Sequence, residues 1–195
     1  MHPPRLILAS ASPRRQELLR EAGYAFIVSP ADIDETDHPP GLPPGGVALY
    51  LARRKADAVA GRFPHDVVLA ADTVVSLHGR PVGKPEDAAD ARRMLGELSG
   101  TTHAVLTGVA VVHRSRDHVA RRLVSSDVHM RGLSPAEIDA YVAGGQWQGK
   151  AGSYGIQDQD PFVTRITGSL SNIVGLPMEA TVEMLREAGV VANAQ

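Results

Sequence analysis

The stretch HAVLTGVAVVHRSRDHVARRLVSSDVHMR (103–131) decides how this chain folds. Two runs rich in β-branched residues, 103–114 and 118–131, flank a short polar turn near 115–117, which is the pattern of an antiparallel hairpin. Elsewhere, strand-like runs alternate with helical ones, as is typical of parallel strands joined by helices. A hairpin within such an alternation predicts an α/β fold with a mixed β-sheet.

The remaining elements follow from the spacing of apolar residues. The predicted strands are 5–9, 24–29, 66–77 and 162–168, and the predicted helices are 14–22, 47–61, 86–98, 134–145 and 177–189. Ser12 is predicted as the N-cap of the first helix, Gly23 as its end, and Ser134 with Glu137 as a capping box. No linker divides the chain, so residues 1–195 are predicted to form one domain, which is compatible with two lobes around a cleft.

Composition excludes several classes of protein. The net charge is −2, from 20 basic and 22 acidic residues, which disfavours a nucleic-acid binder that would use Arg14, Arg15 and the basic cluster 53–55. There is no cysteine, so neither disulfides nor a thiolate metal site are expected. No apolar run approaches the roughly 20 residues of a membrane span, and the start lacks a signal-peptide pattern. A cytoplasmic protein without a membrane contact is expected.

The segment LASASPRRQELL (8–19) places Ser10, Ser12, Arg14 and Arg15 at a strand-to-helix turn. Free N–H groups at a helix N-terminus bind anions, and arginines there oppose the helix dipole unless they serve a ligand. Bidentate binding of phosphate would supply that ligand. The alternative is that Ser12 only caps the helix and that the arginines are solvated.

Asp72 is an acidic residue within the apolar run DVVLAADTVVSL (66–77). Carboxylates are rarely buried without a partner, so Asp72 is expected at the carboxyl end of the strand or at a bulge, facing a ligand crevice. An edge position without function is the alternative. Lys84, in VGKP, gains significance only if it lies near Asp72.

Two other segments carry polar groups suited to binding. The loop 31–37 contains Asp32, Asp34, Glu35 and Asp37, which could hold Mg²⁺ or Mn²⁺ or could be an ordinary polar loop. The segment QWQGKAGSYGIQ (146–157) ends in Gln157, whose amide could recognise a base edge. The eight histidines have no metal-site spacing and are predicted to be structural or exposed.

Several motifs occur together and in order: LASASPRRQELL, DIDE, ARRKA, AADTVV, GKP, YGIQ and GSLSNIVGLPM. With them the chain resembles the Maf family of nucleoside-triphosphate pyrophosphatases, also called septum-formation inhibitor homologues. The resemblance implies an elongated mixed sheet flanked by helices around a deep cleft, similar to the inosine-triphosphate pyrophosphatases. It also implies hydrolysis between the α and β phosphates with a divalent cation (Mg, Mn or Co), and it is compatible with a homodimer.

The resemblance further implies roles for individual residues. Asp72 matches the proton acceptor, and Glu35 and Lys84 match polar groups around the triphosphate, with Glu35 and Asp72 as the metal ligands. The residues that match substrate-binding positions are Ser10, Ser12, Arg14, Arg15, Lys55, Thr73 and Gln157.

Three of these positions are associated with substrate choice. Arg14, Thr73 and Gln157 are similar to the branch of the family that acts on dTTP and UTP rather than on 7-methyl-GTP. The chain departs from the usual pattern at Asp158, where Gly is common, and at Leu170, where Tyr is common. The alternatives are the same chemistry on a modified nucleotide, or a nucleotide-binding regulator of septum formation that is not an enzyme.

Overall fold

The strands form one mixed sheet, which confirms the predicted α/β class. The computed structural model describes residues 4–156 and 162–193. In that part of the chain the order is β2-β1-β3-β5-β6-β7, and β4 pairs with β3 off this path. β1, β2 and β3 are parallel, and all other pairs are antiparallel. The strands are β1 (Leu6–Leu8), β2 (Phe26–Val28), β3 (Val67–Leu77), β4 (Arg80–Val82), β5 (Thr102–His113), β6 (His118–Met130) and β7 (Val163–Thr167).

Helices connect and cover the strands. They are α1 (Pro13–Glu21), α2 (Pro44–Ala60), α3 (Ala88–Leu98), α4 (Pro135–Ala143), α5 (Leu170–Val174) and α6 (Met178–Glu187). α2 begins three residues before its predicted start, because proline suits the first helical position. β4 and α5 were not predicted. No helix within residues 4–156 and 162–193 has the length and apolar character needed to cross a membrane.

The hairpin has the predicted turn. β5 and β6 pair without interruption from Thr102 opposite His129 to His113 opposite His118. A single 3₁₀ turn, Arg114–Arg116, joins them, and Asp117 follows in the left-handed region with a φ of 50°. Aspartate tolerates that conformation better than most residues, so the polar turn sequence fits the geometry.

Two of the predicted helix ends are confirmed and one is modified. Ser134 and Glu137 form the capping box of α4, and Gly23 follows α1 with a φ of 79°. Ser12 occupies the N-cap of α1, but its side chain makes no capping hydrogen bond. Instead, its backbone N–H donates to Ser10 Oγ at 3.2 Å, so the serine that supports the turn is Ser10.

Three apolar clusters hold the layers together. On one face of the sheet, α2 packs Ala52 and Ala56 against Val68 and Ala110. The opposite face carries two separate clusters, one around Leu69, Ala71 and Val109 and the other around Val75, Val105 and Leu98. Thr73 of β3 and Thr107 of β5 are paired between these two clusters. The polar break between the clusters marks the middle of the molecule.

Along one edge of β3, strand pairing is interrupted at the level of this polar break. β5 pairs with β3 along 68–76, whereas on the other side β1 pairs only with 67–69 and β4 only with 75–77. Residues 70–74 therefore have no strand partner on that side within the part of the chain that the structure describes. This gap leaves backbone and side chains of β3 accessible beyond the end of β1.

Gly108 allows α2 to approach this part of the sheet. It pairs with Asp72 across the β3–β5 ladder. A Cβ atom on Gly108 would lie 2.5 Å from the backbone C and O of Ala48 in α2, too close for any side chain. The close approach brings the next turns of α2, including Lys55, onto the face of the sheet that carries Asp72.

Candidate functional site

A cavity of about 500 Å³ opens at the interrupted edge of β3. The β1–α1 turn, the loop before α2, β3, the loop after β4, the segment 149–156 and the end of α5 all contribute to its wall. Its charged lining consists of five basic and two acidic side chains: Arg14, Arg15, Lys55, Lys84, Lys150, Glu35 and Asp72. Apolar residues line the rest, among them Leu51, Val82, Val105 and Ile173.

Lys55 joins the two carboxylates of the cavity. Its Nζ lies 2.6 Å from Asp72 Oδ1 and 2.6 Å from Glu35 Oε1. The side chains of Lys55 and Asp72 are only 9% and 10% exposed, so this pair is removed from water, while Glu35 is 47% exposed. A buried charge of this kind requires its partner, which explains how an aspartate can lie within an apolar strand.

Asp72 does not lie where the sequence predicted. It is at neither the carboxyl end of the strand nor a bulge, but in the middle of β3, in regular register with Gly108. It nevertheless lines the cavity, because β1 ends at Leu8 opposite Leu69, three residues before Asp72. The position of the crevice is determined by the end of the neighbouring strand β1, and not by the end of β3, the strand that carries Asp72.

The acidic residues of the loop 31–37, which precedes α2, have different roles. Asp34 Oδ1 accepts hydrogen bonds from the backbone N–H and the hydroxyl of Thr36, which closes a local turn. Asp37 forms an ion pair with Arg54 of α2 at 3.1 Å. Only Glu35 of the loop lines the cavity. The loop is thus a scaffold for one carboxylate, and not a cluster of four ligands.

Two lysines act on Glu35. Partial burial alone would raise the pKa of this carboxyl, but the hydrogen bonds and charges of Lys55 and Lys84 together lower it below its ordinary value. Lys84 Nζ lies 3.4 Å from Glu35 Oε2, and its side chain is 59% exposed. Lys84 is therefore connected to Asp72 only indirectly, through Glu35 and Lys55.

Arg15 is held by three hydrogen bonds. Its Nε donates to the carbonyl of Gly175 at 2.8 Å, and its two terminal nitrogens donate to Ser10 Oγ and Thr73 Oγ1, each at 3.2 Å. Burial lowers the pKa of the guanidinium, while the charge of Asp72 raises it. These contacts, and not the helix dipole, account for an arginine in the first turn of α1.

Arg14 lines the same cavity and is partly buried. Its guanidinium forms no hydrogen bond or ion pair with residues 4–156 or 162–193. The two adjacent arginines therefore differ: Arg15 is fixed to the protein, and Arg14 is free to meet a ligand.

Thr73, Thr107 and Asn172 continue the network behind Arg15. Thr73 Oγ1 lies 3.0 Å from Thr107 Oγ1, and Thr107 Oγ1 donates to the carbonyl of Asn172 at 3.1 Å. The Asn172 amide donates to Val105 O and Ser126 Oγ, which fastens α5 to the sheet. Thr107 and Asn172 were not predicted, because a threonine within a strand is not unusual.

A neutral pair lies further along the same face. His103 Nε2 and the hydroxyl of Tyr154 are 2.6 Å apart, and Tyr154 lines the cavity. Burial, with a smaller contribution from His129, lowers the pKa of His103 to about 4. Burial also raises the pKa of Tyr154. Both groups are uncharged at neutral pH, and His103 is structural, as predicted.

The residues predicted from the substrate-choice motifs are only partly observed. Gln157 and Asp158 lie outside the described residues, and the preceding Gly155 and Ile156 line the cavity. Leu170 begins α5 and is 56% exposed. Of the substrate-binding set, Ser12, Arg14, Arg15, Lys55 and Thr73 line the cavity, and Ser10 supports it through Arg15.

Comparison with known proteins shows to which family the chain belongs. The family described as Maf-like protein matches residues 5–188. This chain belongs to that family. The Maf-like chain is 52% identical over 189 residues to a protein of Anaeromyxobacter sp. (strain Fw109-5) named dTTP/UTP pyrophosphatase, covering 95% of this chain and 90% of that protein. A protein of Gloeobacter violaceus with the same name is 48% identical over 184 residues, which is 94% of this chain and 95% of that protein.

Among solved structures, the Ham1 protein of Staphylococcus aureus is similar with a TM-score of 0.45 and 15% identity, over 65% of this chain and 71% of that chain.

Proposed function

We propose that this Maf-like protein hydrolyses dTTP and UTP to the monophosphate and pyrophosphate. The observation that supports this most is the charge of the cavity: five basic side chains against two acidic ones, in a chain whose net charge is −2. A triphosphate carries about four negative charges, and preorganised cations next to it stabilise the charge that develops on a leaving pyrophosphate. The names of the relatives supply the two substrates.

The proposed roles follow the two networks of the cavity. Arg14, Arg15 and Lys84 bind phosphate oxygens, and Ser10 and Ser12 shape the turn next to them. Asp72 orients the water that attacks the α-phosphorus and accepts its proton, so that the bond to the bridging oxygen breaks and pyrophosphate leaves. Arg14 and Gln157 set the choice of nucleotide, and Thr73 supports Arg15 from behind.

A divalent cation is part of the proposal. Glu35 and Asp72 both direct an oxygen at one position, which the ammonium of Lys55 occupies, and Asp72 Oδ2 accepts no hydrogen bond within residues 4–156 and 162–193. These residues include no group of three or more acidic, His or Cys side chains that could hold a metal. Mg²⁺ commonly takes one or two carboxylates together with water and phosphate oxygens, so the pair fits it. When bound, the cation would neutralise phosphate charge.

A panel of nucleotides tests the proposal. Pyrophosphate release is measured from dTTP, UTP, dCTP, GTP and 7-methyl-GTP, with Mg²⁺, Mn²⁺, Co²⁺ or EDTA. We expect the highest kcat/KM with dTTP and UTP, and no turnover in EDTA. Preferred turnover of 7-methyl-GTP would contradict the substrate assignment. Tight binding of nucleotides without pyrophosphate release under any metal would instead indicate a regulator that is not an enzyme.

A further inference from the structure

We propose that Thr107 is a positioning residue for Arg15, and that Thr73 acts through Arg15 rather than by donating to the nucleotide. This inference rests on the proposed function only for its kinetic readout. It depends on a chain of hydrogen bonds that starts at the Arg15 guanidinium, passes through both threonine hydroxyls and ends at the backbone of α5.

The direction of the chain is fixed by its last member. The carbonyl of Asn172 can only accept a hydrogen bond, so the single hydroxyl hydrogen of Thr107 points to it. Thr107 Oγ1 can therefore only accept from Thr73, and the hydrogen of Thr73 is used in that bond. Thr73 has no hydrogen left for a ligand, and its oxygen accepts from Arg15.

The end of the chain is rigid. Thr107 and Asn172 are fully buried, at 0% exposure, so neither can exchange its partner for water. The Asn172 side chain is itself fastened by Val105 O at 2.9 Å and Ser126 Oγ at 3.0 Å. Gly175, the residue directly after α5, has the carbonyl that accepts from Arg15 Nε at 2.8 Å. Arg15 is thereby held at two points, through Thr73 and Thr107 to α5 and directly at the residue that follows it.

The consequence is a defined set of free donors. A guanidinium has five N–H groups, and three of those of Arg15 are used by Gly175, Ser10 and Thr73. Within the residues that the structure describes, the two left over are one on each terminal nitrogen. These two N–H groups can donate to the oxygens of a phosphate. Without Thr107 the fork would lose its fixed orientation, and the loss would concern phosphate and not the base.

The test separates phosphate binding from base recognition. The dissociation constant of inorganic tripolyphosphate, which has no base, is measured by calorimetry for wild type, Thr107→Val, Thr107→Ser and Thr73→Val. KM and kcat are measured in parallel for dTTP and UTP. We expect both valine variants to bind tripolyphosphate roughly tenfold more weakly, because the donors of Arg15 lose their fixed orientation. KM should rise by a similar factor for dTTP and for UTP, so that the ratio of the two KM values stays unchanged. Thr107→Ser keeps the hydroxyl and should bind tripolyphosphate as the wild type does.

Thr181→Val is the matched control. Thr181 is also fully buried, but its hydroxyl has no hydrogen-bond partner among the described residues, and it lies in α6 outside the cavity. The Thr181→Val variant should bind tripolyphosphate with the same dissociation constant as the wild type. Thr73, which is only partly buried, provides the second variant in case Thr107→Val fails to fold.

Two results would overturn the inference: unchanged tripolyphosphate binding in both folded valine variants, or a loss confined to one nucleotide, which would indicate a base contact. Failure of the proposed function is distinct, because a wild type that releases no pyrophosphate can still show the dependence of tripolyphosphate binding on Thr107.

Discussion

Asp72 and Thr73 are adjacent in β3, yet their side chains lie on opposite faces of the sheet and join different networks. On the Asp72 side the partners are ionised, and the outer two, Glu35 and Lys84, are 47% and 59% exposed. On the Thr73 side, Arg15 is held by neutral groups, and the two at the end of the chain, Thr107 and Asn172, are fully buried. The outer residues of the first network are open to water and can rearrange, whereas the second network keeps its geometry.

The largest effect is expected from removing the charge of Asp72, the carboxylate at the centre of the ionised network. Asp72→Asn keeps the size of the side chain but removes the proton acceptor, and kcat for pyrophosphate release should fall about 10³-fold, in the range of general-base catalysis. Circular dichroism should show an intact fold. Asp66→Asn is the control, since Asp66 is also buried but pairs with Arg5 outside the cavity. Near-normal turnover by Asp72→Asn would remove Asp72 from its proposed role.

The second prediction compares how much the two lysines of the ionised network, Lys55 and Lys84, contribute to the free energy of unfolding. Lys55→Met leaves the Asp72 carboxylate buried without its partner, so the free energy of unfolding should fall by about 3–5 kcal/mol. Lys84→Met removes an exposed pair and should cost less than about 1 kcal/mol. Denaturant unfolding measures both. Equal losses in the two variants would mean that burial does not distinguish the two ion pairs.

The third prediction concerns pH and the neutral side. Because the pKa of His103 falls from 6.5 to about 4 on folding, the unfolded chain binds a proton there more readily than the folded one. The free energy of unfolding should decrease as the pH falls from 6.5 to 4, by about 3 kcal/mol in total, and this contribution is complete above pH 6.5. His103→Leu should lack that part of the pH dependence.

Chemical unfolding at several pH values between 7 and 4 measures it. His65→Gln, at an exposed histidine outside the cavity, should keep the full slope. A slope that is the same in His103→Leu and wild type would show that folding does not lower the pKa of His103.

The fold and the ionised half of the site were accessible from the sequence for physical reasons. An aspartate in an apolar run and an arginine in the first turn of a helix are each unfavourable alone, so each predicts a partner. The hairpin 103–131 consists of two runs rich in β-branched residues on either side of a short polar turn, which favours a pair of antiparallel strands. By contrast, β4 and α5 have three and five residues, too few to show a period.

Thr107 and Asn172, which hold Thr73 in place, were missed because nothing about them is locally unusual. Threonine is common in strands, so Thr107 carries no signal of its own. Its partner Asn172 is 65 positions away in the chain, and the contact exists only once α5 has packed on the sheet. The position of Asp72 relative to the crevice was wrong for a related reason: the apolar run 66–77 does not reveal where β1 stops.

The interrupted edge of β3 has a consequence for association between molecules. Exposed strand edges recruit strands from other chains, and proteins commonly shield them with charge or short length. Here the unpaired stretch 70–74 is bounded on the same side by β1 and β4. A foreign strand would have to displace one of them to extend its pairing. The backbone of residues 70–74 is thus accessible to a small ligand on this side, whereas a strand from another β-sheet has no room to pair along it.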